Sequence, residues 1–148
     1  MPRPLLLALV LIIAVLIAAF WNYTQDDVFI TYVYSRNLAE GVGFVFNPGE
    51  PVQGTTTPLW TLLMAGVYRL TTELLHAGNL LGGIFLLVTC LFSFSLLRPH
   101  FGVHGAGAAA LLIATSPLHY ASLGMETPLY CALLTGAFWL RSREHRTA

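Results

Sequence analysis

Two adjacent carboxylates, Asp26 and Asp27, stand between an apolar segment and a helix-forming segment. A positioned carboxylate at a membrane surface can act as a general base and take a proton from a hydroxyl group. The alternative is structural, with one aspartate capping the helix that follows. At about 100° per residue, Asp27 shares a helical stripe with Thr31 and Tyr34. This hydroxyl-rich neighbourhood makes Asp27 the better candidate for the base.

A lone carboxylate, Glu126, lies in the stretch Gly-Met-Glu-Thr-Pro at 124–128. It could complement the dipole of a following helix. It could instead face Asp26 and Asp27 across a cavity, where it would orient a sugar hydroxyl or help to bind a divalent metal. Oxygen ligands have no diagnostic spacing in a sequence, so a metal at Asp26, Asp27 and Glu126 is permitted but not required.

Three further charged residues could take part in binding or in packing. Arg36 could meet a lipid phosphate, because its guanidinium fork matches phosphate geometry, or it could be a solvated cation. Arg69 and Glu73 are four residues apart in an apolar segment. A charge pair inside a membrane segment is a candidate functional site, but a mutual salt bridge is the simpler expectation.

The composition of the chain is that of a membrane protein. Of 148 residues, 56% are hydrophobic and 9% are charged, and the mean hydropathy is +0.71. A soluble domain carries about 25% charged residues, and disorder requires low hydrophobicity with high net charge. The seven basic residues are balanced by seven acidic ones, which argues against nucleic-acid binding. We therefore predict an all-α, multi-pass bundle of four to five apolar helices.

The N-terminal part of the chain reads as a first membrane helix followed by an outer loop. The apolar run 5–21 follows Arg3, which should hold the N-terminus in the cytoplasm of a bacterial inner membrane. The loop spans 22–57. Asp26 and Asp27 at the start and Gly41 after the end predict a helix between them, lying along the membrane surface.

Four more apolar segments occupy 58–140, and an arginine-rich end follows. The segments are 58–75, 80–97, 105–123 and 127–140. Five crossings would place the basic end outside, against the positive-inside rule, so one segment should fail to cross. The candidates are 58–75, which is interrupted by Arg69 and Glu73, and 105–116, which is rich in small residues. Either choice places Glu126 on the same outer face as Asp26 and Asp27.

Residues 26–60 resemble the first outer loop of GT-C superfamily membrane glycosyltransferases, of the arabinofuranosyltransferase-like and mannosyltransferase-like kind. The stretch reads DDVFITYVYSRNLAEGVGFVFNPGEPVQGTTTPLW. Residues 124–129, GMETPL, resemble a second outer-loop patch of the same family. The family has roughly twice as many crossings, so the resemblance implies that 1–148 is a single transmembrane module, the N-terminal part of a larger enzyme or one needing a partner chain.

The resemblance also implies an activity and a set of site residues. The expected reaction takes a sugar from a polyprenyl-phosphate donor to a hydroxyl of a cell-envelope glycan, lipid or protein, with inversion. Asp26 or Asp27 would be the base and Glu126 the second acidic residue, with Arg36 near the leaving phosphate. Tyr32, Gln53 and Thr56 would line the sugar site. The alternative is a small integral membrane protein without catalysis, acting in assembly or transport.

Overall fold

The structure is a computed structural model that describes residues 1–50, 52 and 54–147, with side chains described as far as residue 144. All regular secondary structure in this part of the chain is helical, as the sequence predicted. The helices are α1 (Arg3–Ala19), α2 (Asp27–Ala39), α3 (Pro58–Tyr68), α4 (Leu74–Ala114), α5 (Pro117–Ala121) and α6 (Thr127–Thr147). Among the described residues, the stretch Leu74–Ala121 is the one helix long and apolar enough to cross a membrane.

Helix α4 is a hairpin rather than one straight rod. It is broken at Gly102, whose φ of 66° and ψ of −173° are not helical, three residues after Pro99. The two arms pack against each other, and the Cys90 thiol lies 3.5 Å from the carbonyl oxygen of Ala110. Ala106, Ala110 and Ala114 are fully buried at four-residue spacing, so the return arm presents a stripe of small side chains to its neighbours. The predicted segments 80–97 and 105–116 therefore form the two arms of one hairpin.

Helices α1 and α6 complete an antiparallel bundle with the two arms. Leu9 and Ile13 of α1 are buried in one apolar cluster with Leu86 and Phe94 of the first arm. The ring of Trp139 on α6 packs 5.2 Å from that of Phe92 on the same arm. Contacts between α6 and the first arm advance toward the C-terminus on both helices, so these two helices are parallel. Helix α1 and the return arm point the other way.

Helices α2 and α3 lie side by side at one end of this bundle and run in the same direction. The Ser35 hydroxyl donates to the Thr61 carbonyl at 3.0 Å, and Arg69 donates to the Ala39 carbonyl at 3.3 Å. Helix α3 has 11 residues, which makes it about 16 Å long. Of the two segments that could fail to cross, 58–75 is the one that lies outside the antiparallel bundle.

The salt bridge expected between Arg69 and Glu73 is absent. Arg69 caps the end of α3 and donates to a backbone carbonyl of α2, while a Glu73 carboxylate oxygen lies 3.7 Å from His76 Nδ1. The prediction was wrong because α3 ends at Tyr68. A four-residue spacing brings side chains together only when the helix continues between them.

The bundle separates its charges between two ends. One end carries α2, α3 and all acidic residues except Glu144, together with Arg36 and Arg69. We call it the acidic end. The opposite end holds the remaining arginines, at the start of α1, near the turn of α4 and in the last turns of α6. We call it the basic end.

Packing of α4 against the approach to α6 gives a test of this arrangement. A Cβ at Gly82 would run into the backbone carbonyl of Leu123, whereas a Cβ at Gly66 in α3 would meet nothing within 4 Å. We expect Gly82→Ala to lower the stability by about 1–3 kcal/mol through overpacking. Gly66→Ala should raise it slightly, because alanine is the better helix former. Thermal unfolding of the detergent-solubilised protein, followed by circular dichroism, measures both, and equal melting temperatures would contradict the packing.

Candidate functional site

An open cavity of about 340 Å³ at the acidic end gathers the candidate residues. Asp27 and Thr31 of α2 lie on one side and Glu126, just before α6, lies on the other. The residues that line it are Asp27, Ile30, Thr31, Gly54, Thr55, Thr56, Thr57, Met125 and Glu126. Two carboxylates from distant parts of the chain therefore share one cavity with a run of threonines.

The floor of this cavity is a network of hydroxyl groups. Thr55 Oγ1 lies 3.3 Å from Thr57 Oγ1 and 3.4 Å from Thr61 Oγ1. Thr57 Oγ1 in turn lies 3.4 Å from Thr31 Oγ1. Thr31, Thr55 and Thr61 are buried, while Thr56 is exposed. Hydroxyls both donate and accept, so the network can adjust to either kind of ligand group.

The threonine run is positioned by polar side chains of α2. The buried Tyr34 hydroxyl donates to the Val52 carbonyl and accepts from the Gly54 N–H, both at 2.6 Å. The Asn37 amide donates to the carbonyls of Val45 and Phe46, both at 2.9 Å. Helix α2 thus supplies partners that the loop backbone would otherwise lack. Its tyrosine, serine, threonine and asparagine side chains point inward, whereas Phe29 and Ile30 are exposed.

The stretch that carries Glu126 is fixed by one carbonyl group. The Tyr32 hydroxyl and the Trp60 indole N–H both donate to the Gly124 oxygen, each at 3.2 Å. Burial raises the pKa of the Tyr32 hydroxyl far above its usual value, so it stays protonated and able to donate. Gly124 itself is closely surrounded, since a Cβ there would lie 2.9 Å from Thr24 Oγ1 and 3.1 Å from Asn79 Oδ1.

The structure separates the two predicted catalytic aspartates. Asp27 is in the first turn of α2 and lines the cavity with Thr31, as their shared stripe predicted. Asp26 is exposed, is not among the lining residues, and makes no side-chain capping hydrogen bond. Asp26 therefore occupies the N-cap position of α2 without capping it through its side chain. Asp27 is the one aspartate that the described cavity offers as a base.

Two of the predicted substrate-binding residues, Tyr32 and Arg36, do not line the cavity. Tyr32 is 6% exposed and ties α2 to Gly124 instead of lining the cavity. Arg36 is nine residues after Asp27, which puts it on the opposite face of α2 and about 13 Å further along. There it lies near Tyr68, whose hydroxyl donates to Glu40 at 2.7 Å, a bond that raises the pKa of Tyr68. The placement of Tyr32 depends on neighbours that a sequence does not reveal, whereas the nine-residue separation of Asp27 and Arg36 by itself puts them on opposite faces of a helix.

The other predicted substrate-binding residues are Thr56, Glu126 and Gln53. Thr56 and Glu126 line the cavity, and Gln53 lies outside the described residues. Within the described part of the chain, His, Cys, Asp and Glu side chains nowhere form a group of three or more that could hold a metal ion. Sequence reasoning missed Thr55 and Thr57 as lining residues, although the run of three threonines at 55–57 was a visible signal.

An apolar groove of about 230 Å³ adjoins the cavity. It shares Thr56, Thr57 and Glu126 with the cavity and continues between α3 and α6. Its other lining residues are Pro58, Leu59, Trp60, Leu129, Tyr130 and Leu133. The combined site therefore offers carboxylates and hydroxyls at one end and hydrocarbon at the other, which suits an amphiphilic ligand.

Comparison with protein-family models, with curated proteins and with solved structures finds no match to this chain.

The two hydrogen bonds to Gly124 should be strongly non-additive. Tyr32→Phe or Trp60→Phe leaves the carbonyl one donor. Tyr32→Phe should cost about 0.5–1.5 kcal/mol, and Trp60→Phe should cost more because it also removes part of a buried ring. The double variant leaves a buried carbonyl unsatisfied, and its cost should exceed the sum of the single costs by about 1 kcal/mol. Tyr130→Phe is the control, because that exposed hydroxyl has no hydrogen bond in the structure. Chemical unfolding of the wild type, the two single variants and the double variant gives the cycle, and strictly additive costs would contradict a shared carbonyl.

Proposed function

We propose that this chain is a membrane-embedded glycosyltransferase module that binds a lipid-phosphate-linked sugar at the acidic end of its bundle. The observation that carries the proposal is the meeting of Asp27 and Glu126 in one cavity with the threonine run. These residues come from the two patches that resemble GT-C glycosyltransferases. Carboxylates accept hydrogen bonds from a sugar's hydroxyls, and hydroxyl side chains both donate to them and accept from them.

In the proposed reaction Asp27 is the general base. An acceptor hydroxyl donates its proton to the Asp27 carboxylate while its oxygen attacks the anomeric carbon of the donor sugar. The new C–O bond forms as the bond from that carbon to the phosphate oxygen breaks, and the electron pair leaves with the lipid phosphate. Attack from the face opposite the phosphate inverts the anomeric carbon. Glu126 and Thr56 would orient sugar hydroxyls during this step.

The adjoining groove supports a lipid-linked donor over a free sugar nucleotide. Leu59, Leu129 and Leu133 give it an apolar lining that a hydrocarbon chain could occupy. Leu59 and Leu133 are themselves exposed, at 56% and 54%, so the groove opens to the surroundings of the bundle. A chain running from the bilayer into the groove would bring its head group to Glu126 and the threonines.

The proposal includes a bilayer position for the bundle. Helices α1, α6 and the two arms of α4 would cross a bacterial cytoplasmic membrane, with the basic end in the cytoplasm and the acidic end outside. Helices α2 and α3 would then lie at the outer surface. The long apolar stretch Leu74–Ala121 and the clustering of arginines at one end support this orientation.

A second candidate, binding of a lipid-linked sugar without transfer, is favoured by one observation. The described residues that line the cavity and groove include no arginine, and Arg36 faces elsewhere. A leaving phosphate needs positive charge or hydrogen-bond donors near it. A further segment or a partner chain would have to supply that charge for transfer to occur.

Substituting the two aspartates separately tests the role of Asp27. Asp27→Asn keeps the shape but cannot accept the proton, so we expect transfer to fall by about 10²–10⁴-fold. Asp26→Asn is the matched control and should stay within about threefold, because Asp26 lies outside the cavity. The measurement is transfer of radiolabelled sugar from a polyprenyl-phosphate donor by membranes that contain the wild type or one of the two variants.

The same variants separate the two candidate functions. Binding of the labelled donor by Asp27→Asn with loss of transfer supports catalysis. Wild-type protein that binds the donor and never transfers the sugar supports the binding protein. Transfer that survives Asp27→Asn but not Asp26→Asn would overturn the assignment of the base.

Thiol labelling tests the proposed orientation. Single cysteines are introduced as Val52→Cys at the acidic end and His100→Cys near the turn of α4, with Cys90 and Cys131 changed to alanine. Val52 and His100 are both exposed. An impermeant maleimide should label the cysteine at 52 in intact cells and the one at 100 only after permeabilisation. Labelling of both positions in intact cells would contradict the orientation.

A further inference from the structure

A second polar pocket, of about 340 Å³, lies beside the cavity, between α2 and the loop that follows this helix. We call it the loop pocket. Ile30 and Tyr34, four residues apart on α2, line it on the helix side, and its lining on the loop side includes Phe46 and Glu50. Asp27 is not among its described lining residues. The reaction proposed above uses none of the residues that line the loop side.

Three spaces follow one another at the acidic end, with the cavity in the middle. The loop pocket shares Ile30 and Gly54 with the cavity, whereas the apolar groove shares Thr56, Thr57 and Glu126 with it. The loop pocket and the groove have no described lining residue in common. A donor that enters from the groove and an acceptor that enters from the loop pocket therefore reach the cavity from different sides. An inverting displacement requires this, because the attacking group approaches the face opposite the leaving group.

The turn that carries Glu50 has a defined shape. The Glu50 N–H donates to the Asn47 carbonyl at 3.1 Å across Pro48 and Gly49, and Gly49 has a φ of 85°. Proline followed by a glycine of positive φ is typical of a type II turn. The Asn47 amide donates to Glu50 Oε2 at 2.9 Å, and Oε1 has no hydrogen-bond partner among the described residues. The turn thus presents a carboxylate oxygen that is free to accept from a ligand hydroxyl.

An exposed aromatic ring forms the apolar part of the loop pocket. Phe46 is 41% exposed, and the centre of its ring lies 6.0 Å from that of the buried Tyr34 ring. The Asn37 amide donates to the Phe46 carbonyl at 2.9 Å and so fixes this residue to α2. The face of an aromatic ring is negative and attracts the C–H groups of a sugar ring, which carry a partial positive charge. An aromatic face beside the free carboxylate oxygen of Glu50 therefore suits a saccharide, which offers C–H and O–H groups together.

We propose that the loop pocket binds an inner sugar ring of an oligosaccharide acceptor, whose terminal ring reaches Asp27. Asp27 and Tyr34 are seven residues apart, about 10 Å along α2, and a base must come within about 3 Å of the group that gives up the proton. A ring held between Tyr34 and Phe46 lies beyond Ile30 from Asp27. A second ring is therefore needed to pass Ile30 and place a hydroxyl at the base.

This inference rests on the proposed function, which leaves the acceptor open among glycan, lipid and protein hydroxyls. The acceptor is then a glycan of two rings or more, and the reaction extends a saccharide chain instead of starting one. A preceding class of reaction, the formation of a glycosidic bond between two sugars, must supply this acceptor.

Saccharide binding in the absence of a donor tests the pocket separately from transfer. The full chain in nanodiscs is titrated with the methyl glycosides of glucose, galactose, mannose and arabinose and with the matching disaccharides. Binding is followed by saturation-transfer difference NMR. We expect at least one disaccharide to bind, and to bind about fivefold or more tightly than its methyl glycoside, because the second ring adds the contact with Phe46.

Phe46→Leu and Phe44→Leu form a matched pair. Both remove a ring that packs against Tyr34, but only Phe46 lines the loop pocket. Phe46→Leu should lower the affinity for the disaccharide about fivefold, and Phe44→Leu should leave it within about twofold. Glu50→Gln keeps the shape of the side chain and should lower the affinity about threefold or more, because a charged acceptor makes the stronger hydrogen bond. Glu50 is exposed, so this variant decides the test where a loop variant fails to fold.

The proposal is overturned if no saccharide of the set binds, or if the methyl glycosides bind as tightly as the disaccharides. Equal loss of affinity in Phe44→Leu and Phe46→Leu would also overturn it, because the loss would then reflect packing of the loop. Disaccharide binding that depends on Phe46, without any transfer, would support the saccharide site and count against the transferase. Transfer to a disaccharide that Phe46→Leu leaves unchanged would support the transferase and overturn the role of the loop pocket.

Discussion

The acidic end depends on one carbonyl group, that of Gly124, which accepts hydrogen bonds from Tyr32 of α2 and Trp60 of α3. The carbonyl is buried, so each donor contributes more there than it would in water. Because both helices donate to the same atom, they are fixed relative to each other and to the stretch that leads into α6. The distance across the cavity, from Asp27 to Glu126, is set by this junction. The residue at its centre is a glycine, and a Cβ there would lie 2.9 Å from Thr24 Oγ1 and 3.1 Å from Asn79 Oδ1, so a side chain would have to displace these neighbours.

The rest of this end is held in the same manner, by side chains that satisfy backbone groups. Asn79 donates to the carbonyls of Phe20, Trp21 and Tyr23 at 3.2–3.3 Å, which fixes the exit from α1. Tyr34 and Asn37 do the same for the loop between α2 and α3. An apolar core would permit small rotations of packed helices, whereas directional hydrogen bonds restrict them. The cavity is therefore formed before any ligand binds, which lowers the entropy cost of orienting one.

The sequence predicted the elements well and their partners poorly. Apolar runs and the signals at Asp26, Asp27 and Gly41 were enough to predict α1, α2 and the helices of the bundle. Hydropathy does not show how apolar segments pack against one another, so it could not decide whether 58–75 or 105–116 lies outside the bundle. The break at Gly102 decided it, because a positive φ at this glycine turns α4 back on itself.

Within the site, helical phase predicted relations along α2 but not which face turns inward. The shared stripe of Asp27 and Thr31 correctly placed them together. Tyr32 points away from the cavity because its hydroxyl donates to the Gly124 carbonyl. An aromatic, polar helix shows no obvious buried face in the sequence, and the partners of α2 include backbone groups of loops. Those groups have no signature in the sequence, since every residue carries the same N–H and C=O. The orientation of α2 is therefore determined by tertiary hydrogen bonds and not by the sequence pattern of the helix itself.

The distance between the charges at the two ends limits how one end can influence the other. Helix α1 has 17 residues and spans about 26 Å, well beyond a Debye length of about 8 Å, so exposed charges at one end are screened from those at the other. Between the ends, the described helices are packed through Leu9, Ile13, Leu86 and Phe94. A mechanical influence of one end on the other would have to pass along the helices that reach both ends, among them the first arm of α4 and α6. The first arm of α4 carries Arg98 at the basic end. At the acidic end Asn79 bonds to the exit of α1 and Gly82 packs against the backbone of Leu123, and these close contacts leave the arm little room to slide.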